Sequence, residues 1–105
     1  MEMRLSDYLC RENVLFEVEA RTRDEVLMSL VEQMESTVDG FDPEDALRAL
    51  REREAVLPTV IAPGVALPHA RLDEMKSPQI SIATTRAGIE FDADKGPVNL
   101  ILLVL

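Results

Sequence analysis

Apolar positions recur at helical spacing in two stretches of the chain, and each stretch begins with a helix-start signal. The first stretch follows Thr22, which opens a Thr-Arg-Asp-Glu capping box and so predicts a helix N-terminus. The apolar residues of this helix fall on one face: Val26, Leu27, Leu30, Val31 and Met34. Gly40 predicts its end. The second helix begins at Asp42, a good N-cap, with Pro43 in its first turn, and Pro58 prevents its simple continuation.

Alternating apolar and polar side chains predict short strands elsewhere in the chain. The predicted strands are residues 14–18, 79–85 and 89–91. Gly88 predicts a turn between the last two of them, and residues 92–97 predict another turn. Near the N-terminus, residues 5–9 predict one helical turn with Ser6 as its N-cap.

The last eight residues, 98–105, are apolar at nearly every position, so both faces of a strand formed by them would be apolar. Such a strand needs cover on both faces, which predicts a central strand in a sheet flanked by helices. Only two long helices precede it. The cover comes either from these helices, from a partner, or from a C-terminal piece that this chain lacks, and we expect the last.

The composition narrows the classes of function. A chain of 105 residues forms one domain, and its net charge of −9 argues against nucleic acid or an anionic membrane surface as the partner. The single cysteine, Cys10, excludes an internal disulfide and a multi-cysteine metal site. The first residues do not show the pattern of a signal peptide, so we expect none, and the longest apolar run, residues 100–105, is too short to cross a bilayer. We therefore expect a cytoplasmic protein without direct membrane insertion.

The proline-rich segment 58–71 predicts a stiff loop with short extended pieces, and it carries the only histidine, His69. A neutral imidazole is a competent nucleophile near neutral pH, and a hydrogen bond from one ring nitrogen leaves the other free to attack. A bound phosphoryl group would then need cations and hydroxyl donors, for which Arg53, Arg71 and Thr59 are candidates. Each has a structural alternative: stabilisation of a helix end for Arg53, simple solvation for Arg71, and the capping of a turn for Thr59.

The residues around this histidine resemble a known family. Arg53-Glu54, Pro58-Thr59 and residues 64–69 (Gly-Val-Ala-Leu-Pro-His) resemble the active-site region of type-2 IIA domains, the fructose, mannitol and nitrogen-regulatory IIA domains of the bacterial phosphoenolpyruvate:sugar phosphotransferase system. The resemblance extends over almost the whole chain. It implies an α/β (α+β) fold, a mixed β-sheet flanked by helices, and it implies no metal or organic cofactor.

The resemblance also implies roles for the site residues. His69 would accept a phosphoryl group from an HPr-like carrier, or its nitrogen-system counterpart, and pass it to a cysteine of a IIB domain. Arg53 would stabilise the phosphate, and Thr59 would supply a hydrogen bond in the loop. The chain departs from the family where glycines often follow the threonine, since Val60 and Ala62 stand there.

The family domain continues past the strand that ends here at Leu105, with a further histidine and two closing helices. We therefore expect residues 1–105 to be a single IIA domain that lacks the C-terminal helices, with an exposed last strand that favours a homodimer. Three functions stay open: a phosphocarrier, a regulatory module whose phosphorylation controls a partner or a fused transporter, and an interaction domain without the chemistry. Whether the domain counts as an enzyme is left open with them.

Overall fold

Five strands and two helices form the part of the chain that the computed structural model describes, which is residues 9–38, 40–72, 78–92 and 94–105. In chain order these elements are β1 (Leu9–Leu15), α1 (Arg23–Glu35), α2 (Pro43–Val56), β2 (Val60–Ala62), β3 (Val65–Ala66), β4 (Ile80–Asp92) and β5 (Gly96–Val104). The helical turn predicted at residues 5–9 lies outside the described residues except for Leu9, which begins β1. Ser6, its predicted cap, lies outside them too.

Both helices begin where their capping residues predict. The Thr22 side chain accepts a hydrogen bond from the Glu25 N–H at 3.1 Å, and the Glu25 carboxylate accepts one from the Arg21 N–H at 3.0 Å. The Asp42 carboxylate accepts from the Glu44 N–H at 3.0 Å, which fixes the start of α2. These bonds satisfy N–H groups that have no partner within a helix.

The first helix ends earlier than the glycine predicts. α1 stops at Glu35 with Ser36 as its cap, four residues before Gly40, which has a φ of 72°. The Ser36 N–H donates to the carbonyl of Gln33 at 3.2 Å and thereby closes the last turn. Gly40 instead turns the chain towards α2.

The strands form one mixed sheet in the order β1-β4-β5-β3-β2. β1 runs parallel to β4, β4 and β5 are antiparallel, β3 runs parallel to β5, and β2 pairs antiparallel with β3. The final strand is therefore central, as its apolar residues predict. The proline-rich segment supplies β2 and β3, the two short strands at one side of the sheet, which confirms the expected stiff loop with extended pieces.

Two strand predictions were wrong in their bounds. β1 covers residues 9–15 rather than 14–18, because Glu17 has a φ of 53° and ends the extended chain. Its first residues carry little alternation, and the pairing of Leu9 with Ile80 of β4, rather than their own propensity, extends the strand back to Leu9. Residues 80–92 form one strand, and Gly88 lies inside it at a shift of register between Thr84 and Ile89. Its φ of 82° allows a bulge where a turn was expected.

One face of the sheet and both helices share a single apolar core. The largest fully buried apolar side chains include Leu27, Leu30 and Met34 of α1, Leu50 of α2 and Ile89, Ile101 and Leu103 of the sheet. The alternate residues of β5, Leu100, Leu102 and Val104, are half-buried. Within the described residues, the second face of β5 is thus covered less completely than the first.

We predict that Gly88→Ala destabilises the fold more than Gly40→Ala. Both glycines have a positive φ, so both substitutions pay the left-handed strain of about 1–2 kcal/mol. A Cβ on Gly88 would also lie 2.8 Å from the Cβ of Pro97, whereas one on Gly40 would meet nothing within 4 Å. Thermal unfolding should show an additional loss of about 1–3 kcal/mol for Gly88→Ala. Equal losses for the two variants would contradict the close approach.

Candidate functional site

The register of β3 against β5 continues beyond the short strand and places His69. Val65 pairs with Leu100, Ala66 with Ile101, and His69 with Val104, so the offset along the two chains stays constant. Backbone bonds hold this continuation, from the Val104 N–H to the Pro68 carbonyl at 3.0 Å and from the Ala70 N–H to the Val104 carbonyl at 3.2 Å. His69 therefore lies beside the carboxyl end of the central strand.

Alternation along this segment separates its side chains. Ala66 and Pro68 are buried, whereas Leu67 is half-buried and His69 is exposed. Residues paired in register share a face of a sheet, so His69 lies on the same face as the half-buried Val104. The ring is thus presented at the surface by backbone that is itself fixed.

The ring of His69 is oriented by its own loop. Its Nδ1 lies 2.9 Å from the carbonyl oxygen of Leu67. Because a carbonyl oxygen only accepts hydrogen bonds, Nδ1 carries the proton of the neutral ring and donates it. The lone pair then belongs to Nε2, which is the nitrogen available to a nucleophilic reaction.

Thr59 lies beneath the surface and is held by a carboxylate. Its side chain is buried, and its hydroxyl donates to Oε1 of Glu54. The Thr59 N–H donates to Oε2 of the same carboxylate at 3.3 Å. The Thr59 carbonyl accepts from the Leu67 N–H at 2.8 Å. The structure thus places Thr59 between Glu54 and the loop of His69, and directs its hydroxyl into the protein.

The two candidate cations differ in their surroundings. Nη1 of Arg53 donates to the Leu57 carbonyl at 2.9 Å, at the carboxyl end of α2. This bond accounts for one of the five N–H donors of a guanidinium. Among the described residues, no hydrogen bond joins Arg53 to the His69 ring. Arg71, two residues after His69 in the chain, is exposed and forms no ion pair with a described residue.

Glu54 is the residue of the site that the sequence reasoning did not assign. It is 2% exposed, and besides Thr59 it faces Nη1 of Arg23 at 3.9 Å. A signal for it exists in the sequence, because it follows Ala46 and Leu50 at intervals of four on the buried face of α2. A carboxylate on an apolar stripe requires partners that satisfy it.

A surface cleft lies in a different part of the molecule. It has a volume of about 630 Å³ and is lined by residues 17–21 and 85–88. Thr84, next to the cleft residue Thr85, pairs with Leu100, whereas His69 pairs with Val104. Leu100 and Val104 lie four residues apart along β5, which corresponds to roughly 13 Å. His69 does not line this cleft, and its side chain is exposed.

Sequence comparison shows the family to which the chain belongs. A sequence model of the phosphoenolpyruvate-dependent sugar phosphotransferase system, EIIA 2, matches residues 7–105. The class defined by fold and sequence is therefore the type-2 EIIA domain.

Curated relatives cover the chain to different extents. A fructose-specific EIIA component of Haloferax volcanii is 38% identical over 65 residues, which are 61% of this chain and 42% of that protein. A nitrogen regulatory protein of Pseudomonas aeruginosa is 29% identical over 104 residues, which are 98% of this chain and 68% of that protein. The chain thus spans less than half the length of the first of these relatives.

Solved structures share the fold. The nitrogen regulatory protein IIA-Ntr of Neisseria meningitidis superposes with a TM-score of 0.87 at 24% identity, covering 96% of this chain and 69% of that one. The IIA mannitol structure of Escherichia coli gives 0.76 at 24% identity, covering 91% of this chain and 70% of that one. They confirm the predicted α/β (α+β) class with a mixed sheet.

No helix among the described residues is long and apolar enough to span a membrane. No three His, Cys, Asp or Glu side chains among them come together as a metal site would require.

We predict that the neutral ring of His69 carries its proton on Nδ1. Ring-nitrogen NMR of ¹⁵N-labelled protein should show a protonated Nδ1 and an unprotonated Nε2, because the Leu67 carbonyl accepts from Nδ1. As the sequence has one histidine, the ring signals need no assignment by mutation. The reverse pattern, with the proton on Nε2, would refute the hydrogen bond.

Proposed function

We propose that this chain is a phosphoryl carrier domain in which His69 accepts a phosphoryl group on Nε2. The observation that carries the proposal is the exposed ring, held through Nδ1 by the Leu67 carbonyl at 2.9 Å at the end of the central strand. Membership of the EIIA 2 family supports it. Positioning and charge stabilisation dominate phosphoryl transfer, and a fixed imidazole supplies the first of these.

The transfer is a displacement at phosphorus. The Nε2 lone pair forms a bond to phosphorus while the bond from phosphorus to the donor nitrogen breaks, and that nitrogen keeps the electron pair. The His69 ring retains its proton on Nδ1 and becomes positively charged as the new bond forms. The Leu67 carbonyl, which already accepts from Nδ1, stabilises this charge without rearrangement.

The partners follow from the same chemistry. The donor would be an HPr-like carrier with a phosphohistidine, and the acceptor a cysteine of a IIB domain. The IIAMtl domain of Escherichia coli, solved as a complex with phosphorylated IIBMtl, shares the fold with a TM-score of 0.74 at 20% identity. The net charge of −9 suits a donor with basic contacts. The reaction belongs in the cytoplasm, where such carriers meet.

A regulatory module is the second candidate function. The nitrogen regulatory protein of Pseudomonas aeruginosa matches 98% of this chain, which favours it. In that case the same phosphohistidine forms, but contact with a target protein replaces transfer to IIB. Transfer from the phosphorylated chain to a purified IIB domain separates the two functions. A domain without the chemistry, the third alternative, would not become phosphorylated.

Two further expectations stay predictions. One is that residues 1–105 belong to a single domain. The other is a homodimer, which the half-buried second face of β5, with Leu100, Leu102 and Val104, supports.

We predict that His69→Ala abolishes phosphorylation and leaves the fold intact. The side chain is exposed, and its bond to Leu67 is within its own loop, so its loss removes little packing. Incubation with phosphoenolpyruvate, Enzyme I and HPr should add one acid-labile phosphate to the parent chain by intact mass, and none to the variant. Phosphate retained on the folded variant would place the acceptor elsewhere.

We predict that Arg53→Ala slows phosphorylation about tenfold or more while the free energy of unfolding falls by about 1 kcal/mol. The guanidinium makes one bond to Leu57, which leaves donors for a phosphate. Arg48→Ala is the matched control, because Arg48 is an exposed arginine of the same helix that pairs with Asp45. Equal rates for the two variants would remove Arg53 from the site.

A further inference from the structure

We propose that Glu54 is a positioning residue for His69, acting through a chain of hydrogen bonds that crosses Thr59 and Leu67. This inference rests on the proposed function, since it concerns the same histidine. It assigns the buried carboxylate a role in fixing which ring nitrogen carries the proton and where the other one points.

The first link joins Glu54 to Thr59 by two bonds. One carboxylate oxygen accepts from the Thr59 hydroxyl, and the other accepts from the Thr59 N–H at 3.3 Å. Both residues are buried, with 2% of Glu54 and 5% of Thr59 exposed, so water does not compete for these bonds. Two bonds from one carboxylate to one residue fix its backbone and its side chain together.

The next links carry this constraint to the ring. The Thr59 carbonyl accepts from the Leu67 N–H at 2.8 Å, and the Leu67 carbonyl lies 2.9 Å from Nδ1 of His69. A displacement of Thr59 therefore moves the peptide that orients the imidazole. Pro68, between Leu67 and His69, has a fixed φ and limits the conformation of Leu67, so less of the displacement is absorbed before it reaches the ring.

The carboxylate is in turn held from outside the loop. Nη1 of Arg23, at the start of α1, lies 3.9 Å from Oε2 of Glu54 and 3.5 Å from the Phe91 carbonyl of β4. Glu54 thus ties the loop of His69 to the main body of the fold. No other acidic side chain among the described residues contacts Thr59.

Four variants test the inference. Glu54→Ala removes both bonds between the carboxylate and Thr59. Thr59→Val has a similar volume and removes the hydroxyl bond alone. Thr59→Ser keeps both bonds and serves as the conservative rescue. Glu52→Ala is the matched control, because Glu52 is an exposed carboxylate of the same turn that forms no hydrogen bond or ion pair with a described residue. Each variant is first shown to be folded by its thermal midpoint and its amide NMR spectrum.

Two readouts are measured on the unmodified chain and every folded variant. Ring-nitrogen NMR reports the tautomer of the single histidine without any partner. The rate of phosphorylation by phosphorylated HPr, followed over a range of donor concentrations, separates the rate at saturation from donor binding. A merely structural role of Glu54 would change the thermal midpoint but neither the tautomer nor the saturated rate.

We expect Glu54→Ala and Thr59→Val to shift the neutral ring towards the Nε2–H form and to lower the saturated rate about tenfold or more. Thr59→Ser and Glu52→Ala should behave like the parent chain. If Glu54→Ala does not fold, the comparison of Thr59→Val with Thr59→Ser decides by the same criteria.

A parent-like tautomer in folded Glu54→Ala and Thr59→Val would overturn the inference, whatever happens to the rate. A changed tautomer with an unchanged saturated rate would also overturn it, because the ring would then react without being positioned. If the parent chain itself accepts no phosphate while Glu54→Ala and Thr59→Val change the tautomer, the proposed function fails and the positioning by Glu54 stands.

Discussion

The constraint on which the site depends is the pairing of the proline-rich segment with the central strand. β3 is two residues long, yet its register with β5 persists to the pair His69 and Val104. The prolines limit the conformations of the segment before it folds, so less entropy is lost when it is ordered. The apolar β5 is the strand with which the loop pairs in register. A histidine in a loop thereby gains the fixed position of one in a sheet.

The polar atoms of the loop are arranged so that each fixed group orients the next. Glu54 satisfies the hydroxyl and the N–H of Thr59, Thr59 satisfies the Leu67 N–H, and Leu67 orients His69. Buried polar groups need such partners, and here meeting that need also aligns a reactive nitrogen. The stability of the loop and the geometry of the site therefore depend on the same bonds.

The helix starts, which depend on local interactions, were predicted correctly from local signals in the sequence. Thr22 and Asp42 fix the helix starts through bonds to residues two or three positions away, and both starts were confirmed. β1 and the continuous β4 depend on pairing between distant segments, so residues 9–13 and Gly88 were misread. No composition rule reveals that a glycine in a strand lies close to Pro97 and forms a bulge there rather than a turn.

The candidate site shows the same division. His69 was found because a histidine after a proline in a stiff loop is a local pattern, and the hydrogen bond from one ring nitrogen was expected on chemical grounds. The direction of the Thr59 hydroxyl was not predictable, because it depends on a carboxylate from the preceding helix. Glu54 could have been noticed as a charge on the stripe of Ala46 and Leu50, but only the fold shows what it holds. A buried charge in a helix that ends at an active loop is therefore worth treating as a positioning group before it is treated as a stabilising one. Its desolvation is offset only by partners that it fixes in place.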